Sequence, residues 1–189
     1  MVASARGSFR RIARALAVLL VVAFVLVAGA PPARAIAPRV DGGPFRIDQS
    51  TVGRAPLGRT AEFYRTAYAS QSIRILGDGG FDRLLFDDWH LEVLFRPGGT
   101  TAVGVITWGA RVTTGLGVGP CSLATTLIRA HGPRLERVAQ GKSLSAYRLG
   151  RLVFVTDLGG YVRAVGLLAP GVSIVPVLTA PVCGSASVG

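Results

Sequence analysis

The chain has 189 residues, with 21 basic and 10 acidic side chains and a formal net charge of +11. It contains no asparagine, which excludes an N-glycosylation sequon. Its basic residues form no dense run interleaved with aromatic residues, so we expect no nucleic acid among its partners.

The first 35 residues have the pattern of a secretory signal peptide. A basic start without acidic residues is followed by an uninterrupted apolar run over residues 15–30. Ala33-Arg34-Ala35 fits a small-residue cleavage site. We expect cleavage after Ala35 and secretion of the remaining chain. Five basic residues leave with the signal, so 16 basic and 10 acidic residues remain, a net charge of +6. An uncleaved anchor in an envelope protein is the alternative.

Cys121 and Cys183 are the two cysteines. An even number of cysteines in an exported chain predicts a disulfide between them. The alternative is a nucleophilic Cys121 at a helix start, with His90 or His131 as its base.

A first structural unit is predicted over residues 54–114, after a lead-in rich in proline and glycine over residues 36–53. Leu57-Gly58 forms a turn, and Thr60 is the predicted N-cap of a short helix with Phe63 on its apolar face. Short apolar or alternating runs then predict strands, over residues 72–76, 81–86, 89–95 and 100–108.

A second unit over residues 115–170 repeats this order. Its helix covers residues 122–131 and ends with His131, where the helix dipole would favour an imidazolium. Strands are predicted over residues 135–138, 143–149, 152–156 and 161–168. Gly58 and Gly119 are 61 residues apart, as are the pairs Gly98-Gly99 and Gly159-Gly160, which predicts a duplication. The tail, residues 171–189, contains prolines and is predicted to be an extended edge segment.

Together these patterns predict an α+β fold. One helix and three or four strands bury too little apolar surface to be stable alone, so two units would share a core. We predict two tandem helix-plus-antiparallel-meander units. The helices would lie on one face of a shared antiparallel sheet, and its other face would be open.

This arrangement resembles the tandem repeat of β-lactamase inhibitory proteins and the single unit of the outer-membrane assembly lipoprotein family called BamE or SmpA. The resemblance covers most of the chain after residue 35. It is carried by Leu57-Gly58-Arg59-Thr60 with Phe63, by Val118-Gly119-Pro120-Cys121-Ser122 with Leu127, and by residues 91–99 and 152–160. It implies a non-catalytic, inhibitor-like module that binds a protein partner. Here the units are shorter, one cysteine pair replaces two, and the lipid-anchor cysteine is missing.

Asp88, His90 and Glu92 are candidates for chemistry because, on one strand, they would share a face. Same-face neighbours are about 6.6 Å apart, so the outer two would be about 13 Å apart, too far for one metal ion. No hydrolase, metalloprotease or phosphate-binding motif occurs. We therefore expect no metal, no cofactor and no enzymatic activity. An extracellular hydrolase with a site around these three residues is the alternative.

The second half is the more basic part of the chain, with seven basic and two acidic residues from Gly115 onward. Aromatic residues dominate interface hot spots, and a basic surface favours an anionic partner. The predicted partner is an unknown protein or an anionic envelope component. The predicted binding residues are Trp89, Trp108, Tyr147, Arg148, Arg151 and Arg163.

Overall fold

The computed structural model describes residues 46–68, 73–78 and 80–183, with the backbone alone for residues 73–78. The predicted signal segment, its cleavage point after Ala35, most of the lead-in and residues 184–189 lie outside the described residues. Within the described ranges, no helix has the length and apolar character needed to cross a bilayer.

Twelve strands and three α-helices are present in the described residues, together with two short 3-10 helices. The strands are β1 (Arg46–Ile47), β2 (Thr51–Val52), β3 (Ala55–Pro56), β4 (Ile73–Asp78), β5 (Phe81–Phe86), β6 (Leu91–Phe95), β7 (Ala102–Thr107), β8 (Thr113–Thr114), β9 (Glu136–Gln140), β10 (Leu144–Leu149), β11 (Leu152–Asp157) and β12 (Val162–Leu168). The helices are α1 (Ala61–Ala67), α2 (Ala124–His131) and α3 (Val175–Leu178).

Eight strands form one antiparallel sheet, in the order β4-β5-β6-β7-β12-β11-β10-β9. It consists of two four-stranded meanders joined where β7 pairs with β12, with Thr107 opposite Val165 and Gly104 opposite Leu168. The strands predicted from short alternating runs are confirmed in place, apart from the start of β6. Alternation works here because successive side chains of a strand point to opposite faces.

A second, smaller sheet has the order β3-β2-β1-β8. Its strands have two residues each, and β1 pairs in parallel with β8. Gln49, between β1 and β2, ties this sheet to the second meander. Its side-chain amide donates to the Leu149 carbonyl at 2.9 Å, and its oxygen accepts from the Arg151 backbone N–H at 2.7 Å.

The first two helices begin near their predicted starts. The Thr60 hydroxyl accepts a hydrogen bond from the Phe63 backbone N–H at 3.3 Å, which confirms Thr60 as the N-cap of α1. In α2 the N-cap is Leu123, without a side-chain cap. The hydroxyl of Ser122 instead accepts from the Gly119 N–H at 3.0 Å.

The α+β fold class, with helices on one face of the sheet, is wrong. The protein is mostly β, and its helices have only seven, eight and four residues. Such short helices bury a small apolar stripe and cannot form a layer by themselves. The core beside α1 and α2 also contains Ile47 and Val52 of the small sheet.

The other face of the large sheet is not fully open either, because α3 packs on it. Val177 of α3 is buried with Val153 and Ala164 of the sheet. A Cβ at Gly166 of β12 would lie 2.5 Å from the Val177 Cγ2, so the helix rests directly on the strand. The described part of the tail therefore contains a short helix that packs on the sheet, where its prolines predicted an extended edge segment.

The predicted disulfide between Cys121 and Cys183 is confirmed, with a Cα–Cα distance of 5.4 Å. The disulfide connects Cys183, which follows α3, to Cys121, which precedes α2. Cys121 therefore has no free thiol, and the alternative of a cysteine nucleophile is wrong.

Candidate functional site

The hairpin turn between β5 and β6 departs most from the sequence prediction. Residues Asp87–Trp89 form a 3-10 turn, and His90 has a left-handed backbone with φ of 50°. Leu91 is the first residue paired with Phe86 across the hairpin. The alternating pattern from Trp89 onward therefore included a turn, and Asp88, His90 and Glu92 do not share a strand face.

Glu92 lies on the sheet face opposite its neighbours Leu91 and Val93, and it forms an ion pair there. Its Oε1 is 3.1 Å from Nη1 of Arg83, and only 5% of Glu92 is exposed. Burial raises the pKa of the Glu92 carboxyl, and the positive charge of Arg83 opposes this. The three candidate residues for a hydrolase thus do not form one site.

Asp88 and His90 instead line a cavity of about 530 Å³. Three short segments form most of its wall, together with Tyr68 and Thr107: residues 52–54, 88–91 and 109–112. It lies where the small sheet, the β5–β6 turn and the segment after β7 meet.

The base of the cavity is apolar and aromatic. Val52, Leu91 and Val112 are buried there, as is Tyr68 at the end of α1. The Tyr68 ring meets Trp89 edge to face, with 5.3 Å between ring centroids. Burial, with a smaller contribution from Tyr64, raises the pKa of Tyr68 to about 12, while the charge of Arg54 acts in the opposite direction. Tyr68 therefore stays a neutral phenol at physiological pH.

Hydrogen bonds hold the wall around His90 in place. The His90 carbonyl accepts from the Thr107 hydroxyl at 3.0 Å and from the Trp108 N–H at 3.1 Å. The Thr107 hydroxyl oxygen also accepts from the Gly109 N–H at 3.2 Å. A Cβ on Gly109 would lie 3.3 Å from the His90 Cβ, so glycine allows the chain after β7 to pass close to the turn.

The rim of the cavity is charged. Arg54, Asp88 and Arg111 line it and are exposed. Neither Asp88 nor Arg111 takes part in an ion pair within the described part of the chain. The cavity thus combines an apolar base with a rim that carries two guanidinium groups and one carboxylate.

The predicted binding residues do not gather on one surface. Trp89 lines the cavity, whereas Trp108 is fully buried on the far face of the sheet. Tyr147 and Arg148 are adjacent on β10 and point to opposite faces. Arg151 is exposed in the β10–β11 turn. Arg163 donates to the Ala180 carbonyl and so contacts the tail.

Sequence reasoning missed Arg54, Tyr68 and Arg111. Arg54 and Arg111 are 57 residues apart and both lie beside short strands of the small sheet, whose two-residue length gives no periodic signal. Tyr68 follows the helix that begins after Thr60, and only the fold brings it to Trp89. No local motif links the three.

Among the described residues, no group of three or more His, Cys, Asp or Glu side chains could hold an ion.

No protein-family model, curated protein or solved structure matches the chain. The resemblance to β-lactamase inhibitory proteins and to the BamE family therefore remains a prediction.

Proposed function

We propose that the protein is an exported, non-catalytic binding module and that the cavity holds a group of its partner or ligand. The observation that carries this proposal is the cavity itself, with buried aromatic and aliphatic residues at its base and charges at its rim. An open sheet face is the weaker candidate surface, because α3 covers part of the face opposite the cavity.

A binding role fits the chemistry of the lining better than a catalytic one. Among the described residues of the lining there is no serine, cysteine or lysine, the side chains that most often act as nucleophiles. The Tyr68 phenol has a pKa of about 12 and is a poor base or nucleophile at neutral pH. The Thr107 hydroxyl donates its proton to the His90 carbonyl. Glu92 lies outside the cavity and is paired with Arg83.

Export is part of the same proposal. The disulfide fits an oxidising compartment. Amino-terminal sequencing of the protein from the culture medium should give Ile36 as its first residue. A protein retained in the envelope and starting at Met1 would support the anchor instead.

The test uses the full chain, expressed for export, in which a substitution blocks the cavity. Ala110 is an exposed lining residue, and Ala110→Trp should fill the cavity. Thr100→Trp is the control, since Thr100 is exposed in the turn at the opposite end of β6. Cross-linked partners from supernatant and envelope fractions are compared. We expect capture by the wild type and Thr100→Trp, but not by Ala110→Trp. Equal capture by all three would place the binding surface elsewhere.

A further inference from the structure

We infer that the ligand group of the cavity is an organic carboxylate carried on an apolar body that contains an aromatic ring. This inference rests on the proposed function, because it names the chemistry of the group that the same cavity holds.

The base of the cavity selects an apolar group. Val52, Leu91 and Val112 are buried, and burying a polar group among them without a hydrogen bond would be costly. The cavity volume of about 530 Å³ lies within the range of pockets that hold small organic ligands, roughly 300–1,000 Å³. A hydrocarbon body is therefore the group that gains most by entering.

The aromatic residues at the base of the cavity and beside it favour a ring in the ligand. Tyr68 and Trp89 meet edge to face, and Tyr68 is also 5.1 Å from the Phe86 ring centroid at an interplanar angle of 46°. Aromatic pairs prefer edge-to-face and offset arrangements. A ligand ring can continue this cluster by packing against Trp89, which is half-buried and lines the cavity.

The rim favours a negative charge. Arg111 is exposed at the rim and forms no ion pair within the described ranges. The planar guanidinium fork matches a carboxylate through two parallel hydrogen bonds. A cationic ligand would instead have to enter between two guanidinium groups.

The experiment uses three compounds with one body and three charges: 4-phenylbutyrate, 4-phenylbutan-1-ol and 4-phenylbutylamine. Binding to the full-length exported protein is measured by calorimetry and by the shift of the Trp89 indole N–H resonance. The chain has two tryptophans. The ring of Trp108 contacts the ring of His90 in the cavity wall, with 6.0 Å between centroids, so its resonance should shift less than that of Trp89, which lines the cavity. We expect the acid to bind most tightly and the amine most weakly, with shifts at Trp89.

Two variants separate charge from shape. Arg111→Gln should weaken binding of the acid about two- to five-fold, the range for an exposed ion pair, and leave the alcohol unchanged. Arg96→Gln is the matched control, because Arg96 is exposed in the turn at the far end of β6, and it should change neither affinity.

The failures of the two proposals are distinguishable. Equal binding of the acid and the alcohol, tighter binding of the amine, or no binding of the acid at millimolar concentration would each overturn the carboxylate inference. The cavity would still stand as the site if Ala110→Trp abolished partner capture. If Ala110→Trp left partner capture unchanged, the proposed function itself would fail.

Discussion

At the scale of single residues, removing one partner of the Arg83–Glu92 ion pair should lower the free energy of unfolding. Arg83→Leu leaves a carboxylate buried without a partner, which costs about 3 kcal/mol or more when a buried pair is broken. Because burial raises the folded-state pKa of Glu92, the folded protein holds this proton more tightly than the unfolded chain. The contribution of Glu92 to the free energy of unfolding is therefore fully present below the pKa of Glu92 in the unfolded chain. It is lost as the pH rises through the pKa of Glu92 in the folded protein.

The loss caused by Arg83→Leu should therefore be larger at pH 8 than at pH 4.5, where more of Glu92 is protonated. Urea unfolding of both proteins at the two pH values measures it. Arg96→Leu, at an exposed position, should change stability by less than about 0.5 kcal/mol. Equal losses for Arg83→Leu at both pH values would show that an ionised Glu92 is not their cause.

His131 should make the protein less stable in mild acid. It is 6% exposed, and neither ring nitrogen has a hydrogen-bond partner among the described residues. Burial lowers its pKa, and the charge of Arg134 lowers it further. The folded protein therefore takes up this proton less readily than the unfolded chain. The resulting stability is full above the unfolded pKa of about 6.5 and is lost as pH falls through the folded value.

Urea unfolding between pH 7 and pH 5 tests this prediction on His131→Phe, which keeps an aromatic ring next to Phe154. The protein with His131 should lose stability as the pH falls from 7 to 5, and His131→Phe should lose less. Both proteins are compared in a Glu92→Gln background, because Glu92 contributes with the opposite sign. An unchanged pH dependence in His131→Phe would rule out His131 as the source.

The sequence identified Glu92 and His131 as titratable residues of interest, but it did not show which residues surround them in the fold. The position of His131 at the end of a helix predicted an imidazolium stabilised by the helix dipole. The ring instead packs 6.1 Å from the Phe154 ring centroid, where the neutral form is favoured. A contact between residues 23 positions apart in sequence depends on how α2 lies on β11, and no local pattern contains it.

At the scale of elements, strands were more predictable than the turns between them. Side chains that alternate between two buried cores, such as Val93 and Leu94, identified β6. The same alternation continued through His90 and concealed the turn that forms one wall of the cavity. The helix starting after Thr60 was predictable because an N-cap is a local hydrogen bond. The tail was not, because α3 is stabilised by its contact with the sheet.

The contact between α3 and β12 gives a prediction for the element. Gly166→Ala should destabilise the protein by about 1–3 kcal/mol, the usual cost of overpacking a core. The added Cβ would lie 2.5 Å from Cγ2 and 3.1 Å from Cγ1 of Val177, and a β-branched side chain has few rotamers to escape to. Val177→Ala in the same chain should recover part of the loss. Thermal unfolding of the single and double variants measures the coupling, and strictly additive losses would contradict the contact.

At the scale of the whole molecule, the pairing of distant segments determined what the sequence could not reveal. Two meanders were visible as runs of alternating residues, but the small sheet was not. Its parallel pair places Ile47 opposite Thr114, 67 residues away, and strands of two residues carry no period. This sheet shares the core with α1 and α2. A fold class predicted from the helices and the meanders alone was therefore wrong.

The same distant pairings predict that neither half of the chain folds alone. Separation at residues 115–117 would expose β7 and β12, which are now paired along their length. It would also remove the hydrogen bonds of Gln49 to the turn between β10 and β11. Each half would have too little core to offset the entropy of ordering its backbone. Residues 36–114 and 115–189, produced separately, should give NMR spectra without dispersion, and mixing them should restore it.

The control is the full chain with a protease site at residues 115–117, an exposed loop. Cleavage there after folding should leave the spectrum nearly unchanged, since no strand or helix of the fold is cut. This separates the loss of chain continuity from the loss of the partner half. A dispersed spectrum from either isolated half would contradict the shared core, because that half would then fold without β7 pairing with β12.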